Sequence, residues 1–452
     1  LEDVMAIFAD EVLTPAGWVR DARIVLEGGR IASVTAEVAA EAGDERHAIL
    51  VPGMANVHSH AFQRAMAGLT EMPGPGNDNF WSWRDLMYRF ALSFDPGQIE
   101  AVAAQLYVEM LESGFTRVGE FHYLHHAKDG RHYADIAEHS ARIAAAAGAT
   151  GIGLTLLPVF YAHSQFGGQA PGEGQRRFIN DIGSFGRLLE GAKKAVQTLN
   201  HAKVGIAPHS LRAATIEEIR ALQALDFDGP IHIHIAEQVK EVEDSIAFSG
   251  KRPVESLLEN SDADDRWCFI HATHMTDAET VAMARRGVIA GLCPITEANL
   301  GDGFFQAPLF LEHGGAISVG SDSNVQIGVP AELRQLEYSQ RPLHRARNVI
   351  ATRGRSTGRT LFDEAMAGGG RALMHPTGIA TGSPADFVSL EPVFDVGYRG
   401  DRILDTWIFG EGMRIDGVWV HGEKVVSEGR HRDRDGIGAR FAAAMRMLLS
   451  AA

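Results

Sequence analysis

Pro230-Ile231-His232-Ile233-His234-Ile235-Ala236-Glu237 decides the fold. Its apolar run, Pro230 to Ile235, has the length of a buried strand and ends on a histidine and a glutamate three residues apart. Working outward, seven similar runs can be placed: Ile49 to Val57, Phe115 to Phe121, Gly151 to Pro158, Lys203 to Pro208, Trp267 to Ile270, Val288 to Cys293 and Ala316 to Gly320. Amphipathic helical stretches fall between them, at Pro96 to Ser113, Ala134 to Ala147, Ile216 to Ala224 and Ala278 to Arg286. This alternation is the signature of βα units around a parallel sheet. Eight strands favour a closed (β/α)8 TIM-type barrel of α/β class, expected over residues 51–380.

The flanks have a different texture. Residues 1–50 hold short apolar segments, Ala6-Ile7-Phe8-Ala9 and Ile24-Val25-Leu26, separated by Gly17 and Gly28-Gly29. Residues 381–452 return to it with Asp386-Phe387-Val388-Ser389-Leu390, Thr406-Trp407-Ile408-Phe409 and Val418-Trp419-Val420 before the turn His421-Gly422-Glu423. The two ends are expected to meet in one small β-sandwich. Ile437 to Leu449, rich in alanine at helical spacing, should close the chain as a helix. No internal repeat or low-complexity segment interrupts this plan.

With 452 residues, 45% hydrophobic and 22% charged, the chain is ordinary globular protein with ample length for a large core. Lysine and arginine number 42 against 58 acidic residues, and the net charge of −16 repels nucleic acid and anionic membranes. A small anionic substrate can still be held by local arginines. Cys268 and Cys293, the two cysteines, lie in apolar runs, so a disulfide framework is not expected and a reducing cytoplasm fits. The opening Leu1-Glu2-Asp3 lacks a basic region before an apolar core, so no export signal is expected. The most apolar stretch, Ile143 to Ala162, is broken by Gly148, Gly151, Gly153 and Pro158, which argues against a membrane span.

Polar residues gather at the strand ends: His58 and His60, Glu120 and His122, His209, His234 and Glu237, His271, and Asp322. That edge of a βα barrel is where catalytic groups collect. His58 and His60, at i and i+2, project from one face and make a natural half-site for a divalent metal. An isolated His-x-His is weak evidence. Four histidines, a glutamate and an aspartate at strand ends are harder to assign to packing, because buried charges without partners cost several kcal/mol. His232 shares its strand face with His234 but lies deeper, so His234, at the mouth and in register with Glu237, is the better ligand. His122, His125 and His126 lack an acidic partner at ligand spacing and are expected to support the loop instead of binding metal.

His-x-His, then His-x-x-Glu, a lone His and an Asp after the last strand together resemble the amidohydrolase superfamily, in its mononuclear deaminase branch, over nearly the whole chain. The resemblance implies that His58, His60, His234 and Asp322 bind one metal ion, while Glu237, His271 and Asp322 handle protons during hydrolytic deamination. Binuclear relatives bridge two metals with a modified lysine after the fourth strand, where this chain reads Ala207-Pro208-His209. One Zn2+ is therefore expected, with iron or manganese as alternatives for the same donors. A different zinc-deaminase pattern, His-x-Glu with Pro-Cys-x-x-Cys, is missing, since Cys293-Pro294 has the reverse order and no second cysteine follows.

The loops are similar to those of the N-formimino-L-glutamate deiminases: Phe62-Gln63-Arg64 and Phe80-Trp81-Ser82-Trp83-Arg84-Asp85-Leu86-Met87-Tyr88 after strand one, Glu120-Phe121-His122-Tyr123 at strand two, and His209-Ser210-Leu211-Arg212 after strand four. That resemblance implies conversion of a formimino to a formyl group with loss of ammonia, a step of histidine degradation. Such a substrate carries two carboxylates, each suited to an arginine fork, and Arg84 and Arg212 are the candidate clamps. Gln63, Tyr123 and His209 would add neutral hydrogen bonds, while Trp81 and Trp83 are expected to pack the loop. Two alternatives stand beside this reading: a deaminase for a cyclic substrate such as guanine, and a non-catalytic barrel that scaffolds partners. Relatives of this fold commonly self-associate, so the resemblance also implies a homodimer.

Overall fold

The computed structural model describes residues 5–72, 76 and 78–451, so Leu1, Glu2 and Asp3, on which the expectation about an export signal rests, lie outside the described residues. Four strands open the chain: β1 (Met5–Thr14), β2 (Gly17–Glu27), β3 (Arg30–Thr35) and β4 (Glu45–Pro52). The central part holds β5 (Met54–Ser59), β6 (Phe115–His122), β7 (Gly153–Phe160), β8 (Lys203–Val204), β9 (Ala207–Pro208), β10 (Ile231–Ile235), β11 (Trp267–His271), β12 (Ile289–Leu292) and β13 (Ala316–Val319). The last four are β14 (Phe387–Pro392), β15 (Met413–Val420), β16 (Glu423–Ser427) and β17 (Arg430–His431).

The central strands pair in parallel as β5-β6-β7-β8, with β9 also on β7, and as β10-β11-β12-β13. Parallel bridges join these two sheets at both edges, Ser59 to Asp322 and Ile206 to Ile231. Backbone bonds from His60 N to Asp322 O (3.0 Å) and from Asp322 N to His58 O (2.9 Å) tie the first strand to the last. Every residue of β5, β6, β7, β10, β11 and β12 is buried, as parallel strands covered on both faces must be.

Helices follow the strands, and those expected from the sequence lie at Pro96–Glu112, Glu138–Thr150, Ile216–Gln223 and Asp277–Arg285. The first shows why its boundary was legible: Pro96 occupies the first turn, and Asp95 and Gln98 exchange capping hydrogen bonds of 2.9 Å each way. No helix among the described residues is long and apolar enough to cross a membrane. Cys268 and Cys293 are buried free thiols.

The chain ends share one eight-stranded sheet in the order β17-β16-β15-β14-β4-β1-β2-β3. Its core includes Ile7, Ile24, Leu50, Phe387 and Trp419 from both ends of the sequence. Three expectations change in detail. The run Ile49 to Val57 is two strands, because Gly53 breaks it: a side chain there would sit 2.3 Å from Thr116, and its N–H turns to the Asp386 carbonyl at 3.0 Å. Lys203 to Pro208 is likewise split into β8 and β9 around Gly205, which the Pro230 carbonyl crowds. Thr406-Trp407-Ile408-Phe409 is the end of a helix, Asp401–Phe409, not a strand; Ile403, Leu404, Trp407 and Ile408 are buried at helical spacing. The closing helix runs Arg434–Ala451.

Candidate metal centre and active site

β5 ends in the alternating pair His58 and His60, β10 supplies His234, and the turn after β13 supplies Asp322. All four are buried and offer ligand atoms within 4.8 Å of one another, a group that could hold a metal ion. The Nε2 atoms of His58 and His234 stand 2.9 Å apart, and Asp322 Oδ1 lies 3.4 Å from His58 Nε2 and 3.3 Å from His60 Nε2. His60 Nδ1–H donates to the Phe121 carbonyl at 2.9 Å, which leaves its Nε2 lone pair directed at the group. Burial and the neighbouring imidazoles hold all three rings neutral: His60 is pushed down to about 3, and His58 and His234 well below the usual imidazole range. Neutral nitrogens beside a carboxylate are the donor set that a divalent transition metal takes.

Two further side chains face the same point. Glu237 stands in the turn after β10, and burial raises its carboxyl above the ordinary value. His271, the last residue of β11, has Nε2 at 3.9 Å from Glu237 Oε1 and 3.8 Å from Asp322 Oδ2. Its Nδ1 faces Glu297 Oε1 at 3.3 Å. Burial works against charge on this ring, but the surrounding Glu237, Glu297 and Asp322 outweigh it and push His271 up to about 10.

The backbone supporting these groups is wound the unusual way. Ala236, His271, Ala272 and Asp322 have φ of 49°, 69°, 49° and 47°, a region disfavoured for side chains other than glycine. Hydrogen bonds hold the turns in place: Glu241 accepts from Ala236 N (3.1 Å) and Glu237 N (3.2 Å), and Asn56 accepts from Ser321 N at 3.1 Å.

A cavity opens over the metal group. Gln63, Arg84, Tyr123, His209 and Arg212, the expected substrate contacts, all line it. Gln63 Nε2 donates to Tyr123 Oη at 2.8 Å. Burial, with Arg212 nearby, holds His209 neutral, well below the usual imidazole range. Arg212 meets Glu237 at 3.3 Å and Glu241 at 3.8 Å. Burial opposes its charge, yet these two carboxylates hold the guanidinium above its ordinary value. The Nε atoms of both Arg84 and Arg212 are buried with no hydrogen-bond partner among the described residues.

The sequence pattern of the amidohydrolase family matches residues 49–425. The chain belongs to the amidohydrolase family. Residues 4–48 match the formimidoylglutamate deiminase HutF N-terminal domain. This amidohydrolase is 48% identical to a formimidoylglutamate deiminase of Pseudomonas aeruginosa, over 98% of this chain and 99% of the relative. A crystal structure of an amidohydrolase from Brucella melitensis superposes with a TM-score of 0.96 at 56% identity, covering 98% of this chain and 100% of that one. A zinc complex of atrazine chlorohydrolase from Arthrobacter aurescens gives a TM-score of 0.82 at 20% identity, covering 98% and 100%, and shares the fold.

The structure places other residues of this amidohydrolase away from the metal group. His232 donates from Nε2 to the Ala372 carbonyl at 2.8 Å. Glu120 turns under the mouth to accept from Ala61 N at 2.6 Å and Tyr107 Oη at 3.2 Å. His125 and His126 bond to the carbonyls of Val159 and Ile179 at 2.9 and 2.8 Å. Trp83 lines the cavity, and Trp81 lies under both arginine head groups. Sequence reading missed Glu241, Glu297 and the cavity-lining Tyr88 and Tyr161. Glu241, four residues after Glu237 in the first turn of the helix Val239–Ser249, carried a readable signal.

Proposed function

We propose that this amidohydrolase converts N-formimino-L-glutamate to N-formyl-L-glutamate and ammonia, as a step of histidine degradation. One juxtaposition carries the proposal: a three-histidine, one-aspartate metal group and two arginines whose Nε atoms have no hydrogen-bond partner among the described residues face a single cavity. An amidine carbon needs the first, and a substrate with two carboxylates needs the second.

His58, His60, His234 and Asp322 would hold one Zn2+, the ion favoured by three nitrogens and one oxygen, with iron or manganese compatible with the same donors. A divalent ion bound there lowers the pKa of water to about 7 and so supplies a hydrolytic nucleophile at neutral pH. We assign Asp322 to accept the proton of that water and His271, 3.8 Å away and held in its charged form by the surrounding carboxylates, to orient the water as a donor. Glu237, which burial inclines to hold a proton, delivers one to the leaving nitrogen so that it departs as ammonia. Arg84 and Arg212 each take a substrate carboxylate. Gln63, Tyr123 and His209 fix the remainder by neutral hydrogen bonds.

We take the two bridged parallel sheets as one (β/α)8 barrel over residues 51–380, and the eight-stranded sheet from residues 1–50 and 381–452 as a β-sandwich domain. Val51 and Pro52 still pair within that sheet. A cytoplasmic homodimer with a small anionic substrate, and no nucleic acid or membrane partner, completes the proposal.

Ammonia release from formiminoglutamate by zinc-loaded protein is the test. Absence of turnover with one equivalent of metal bound overturns the reading. Comparable rates on guanine or adenosine favour the cyclic-substrate alternative, and failure to retain any transition metal favours the scaffold.

A further inference from the structure

The helix Phe80–Ala91 brings aromatic rings to both arginines of the cavity. Arg84 Cζ lies over the Trp81 ring, 4.6 Å from its centroid, and over Tyr88 at 5.4 Å. Arg212, from a different part of the chain, lies over the same Trp81 ring at 5.8 Å and over Phe80 at 6.0 Å. All four distances are within the reach of about 6 Å at which a ring face attracts a cation. The first turn of this helix is pinned by Asn79, whose side chain accepts from Trp81 N at 2.9 Å and Ser82 N at 3.3 Å. The indole is therefore presented on fixed backbone.

Two guanidinium groups in one cavity repel each other, and no acidic side chain among the described residues forms an ion pair with Arg84. Without the ring, Arg84 would be free to swing away until substrate arrived, and Arg212, still tied to Glu237 and Glu241, would lose the face that fixes the angle of its fork. Reordering these side chains on binding would then weaken affinity.

We infer that Trp81 is a positioning residue that sets specificity: its ring keeps Arg84 and Arg212 in place together, so that the site favours ligands with two carboxylates over ligands with one. The inference deepens the substrate reading above and rests on it. A ligand that engages a single guanidinium gains little from having both held. A ligand that engages both gains twice.

The test uses metal-loaded full-length protein, with Trp81→Leu and Trp81→Phe variants. N-formyl-L-glutamate and N-formyl-4-aminobutyrate, which lacks one carboxylate, are titrated calorimetrically, and kcat and KM are measured on formiminoglutamate. Trp81→Leu is expected to weaken the dicarboxylate about tenfold, because the guanidinium groups that the ring held must then be ordered on binding. It should weaken the monocarboxylate roughly threefold or less and raise KM with kcat nearly unchanged. Trp81→Phe, which keeps a ring face, should recover most of the dicarboxylate affinity. Equal weakening of both ligands, unchanged affinity, or a fall in kcat at constant KM overturns the inference. Should wild type prefer the dicarboxylate, and lose that preference in Trp81→Leu, without turning over formiminoglutamate, the substrate reading fails and the role of Trp81 stands.

Discussion

Replacing Arg212 by Met and Arg84 by Met separates two jobs that the proposal gives to arginine. A hydrogen bond to a charged group contributes about 1.5–3 kcal/mol. Losing one carboxylate clamp should therefore lower kcat/KM roughly tenfold to a hundredfold in either variant, mainly through KM. Arg212 also neutralises the free protein, standing 3.3 Å from Glu237 and 3.8 Å from Glu241, all three side chains at most 7% exposed. Breaking a buried pair by removing one partner costs about 3–5 kcal/mol. Glu237 can relieve part of this by taking a proton, so the lower end, about 3 kcal/mol, is the working figure.

Arg84 forms no ion pair among the described residues, and its loss gives up only the contacts with Trp81 and Tyr88, so stability should fall by about 1–2 kcal/mol at most, less than for Arg212. Denaturant unfolding, with metal content matched, gives stability; ammonia release gives the kinetics. Equal stability of the two variants would refute the assignment of Arg212 as counter-charge to Glu237 and Glu241. An unchanged KM in either variant would remove that arginine from the clamp.

Glu237→Gln should abolish turnover while zinc remains bound, as read by metal analysis; retained activity takes Glu237 out of the proton path. Glu297→Gln removes the carboxylate 3.3 Å from His271 Nδ1 and should lower kcat about 10- to 100-fold with KM little changed, a size typical for partners that orient reactive imidazoles. A kcat within twofold of wild type would make Glu297 a packing residue. Chelation should remove activity and lower the melting temperature, both returning with added zinc; full activity in metal-free protein contradicts the mechanism.

The strand ends were legible because apolar runs of strand length stop at polar residues, and His58, His60, His234 and Asp322 stand at such stops. Glu297 was not legible, because it reaches His271 from the first turn of a separate helix, Pro294–Leu300, and nothing local in Pro294-Ile295-Thr296-Glu297 indicates that contact. Tyr88, in the helix Phe80–Ala91, and Tyr161, in the loop after β7, meet at 3.4 Å through tertiary packing that no local pattern shows. Thr406 to Phe409 shows the limit of short windows: four residues are compatible with strand or helix, and the Asp401 start and burial over two turns decide it. Gly53 misled in a different way, since continuous hydrophobicity hid a change of sheet that only close approach to Thr116 reveals.

Positive φ at Ala236, His271, Ala272 and Asp322 gives this enzyme a built-in conflict between robustness and speed. Ala236→Gly or Ala272→Gly would relax a conformation costing about 1 kcal/mol or more, and should toughen the fold. The same change loosens the peptide beside Glu237 or His271, so a hardier variant is expected to be a slower catalyst.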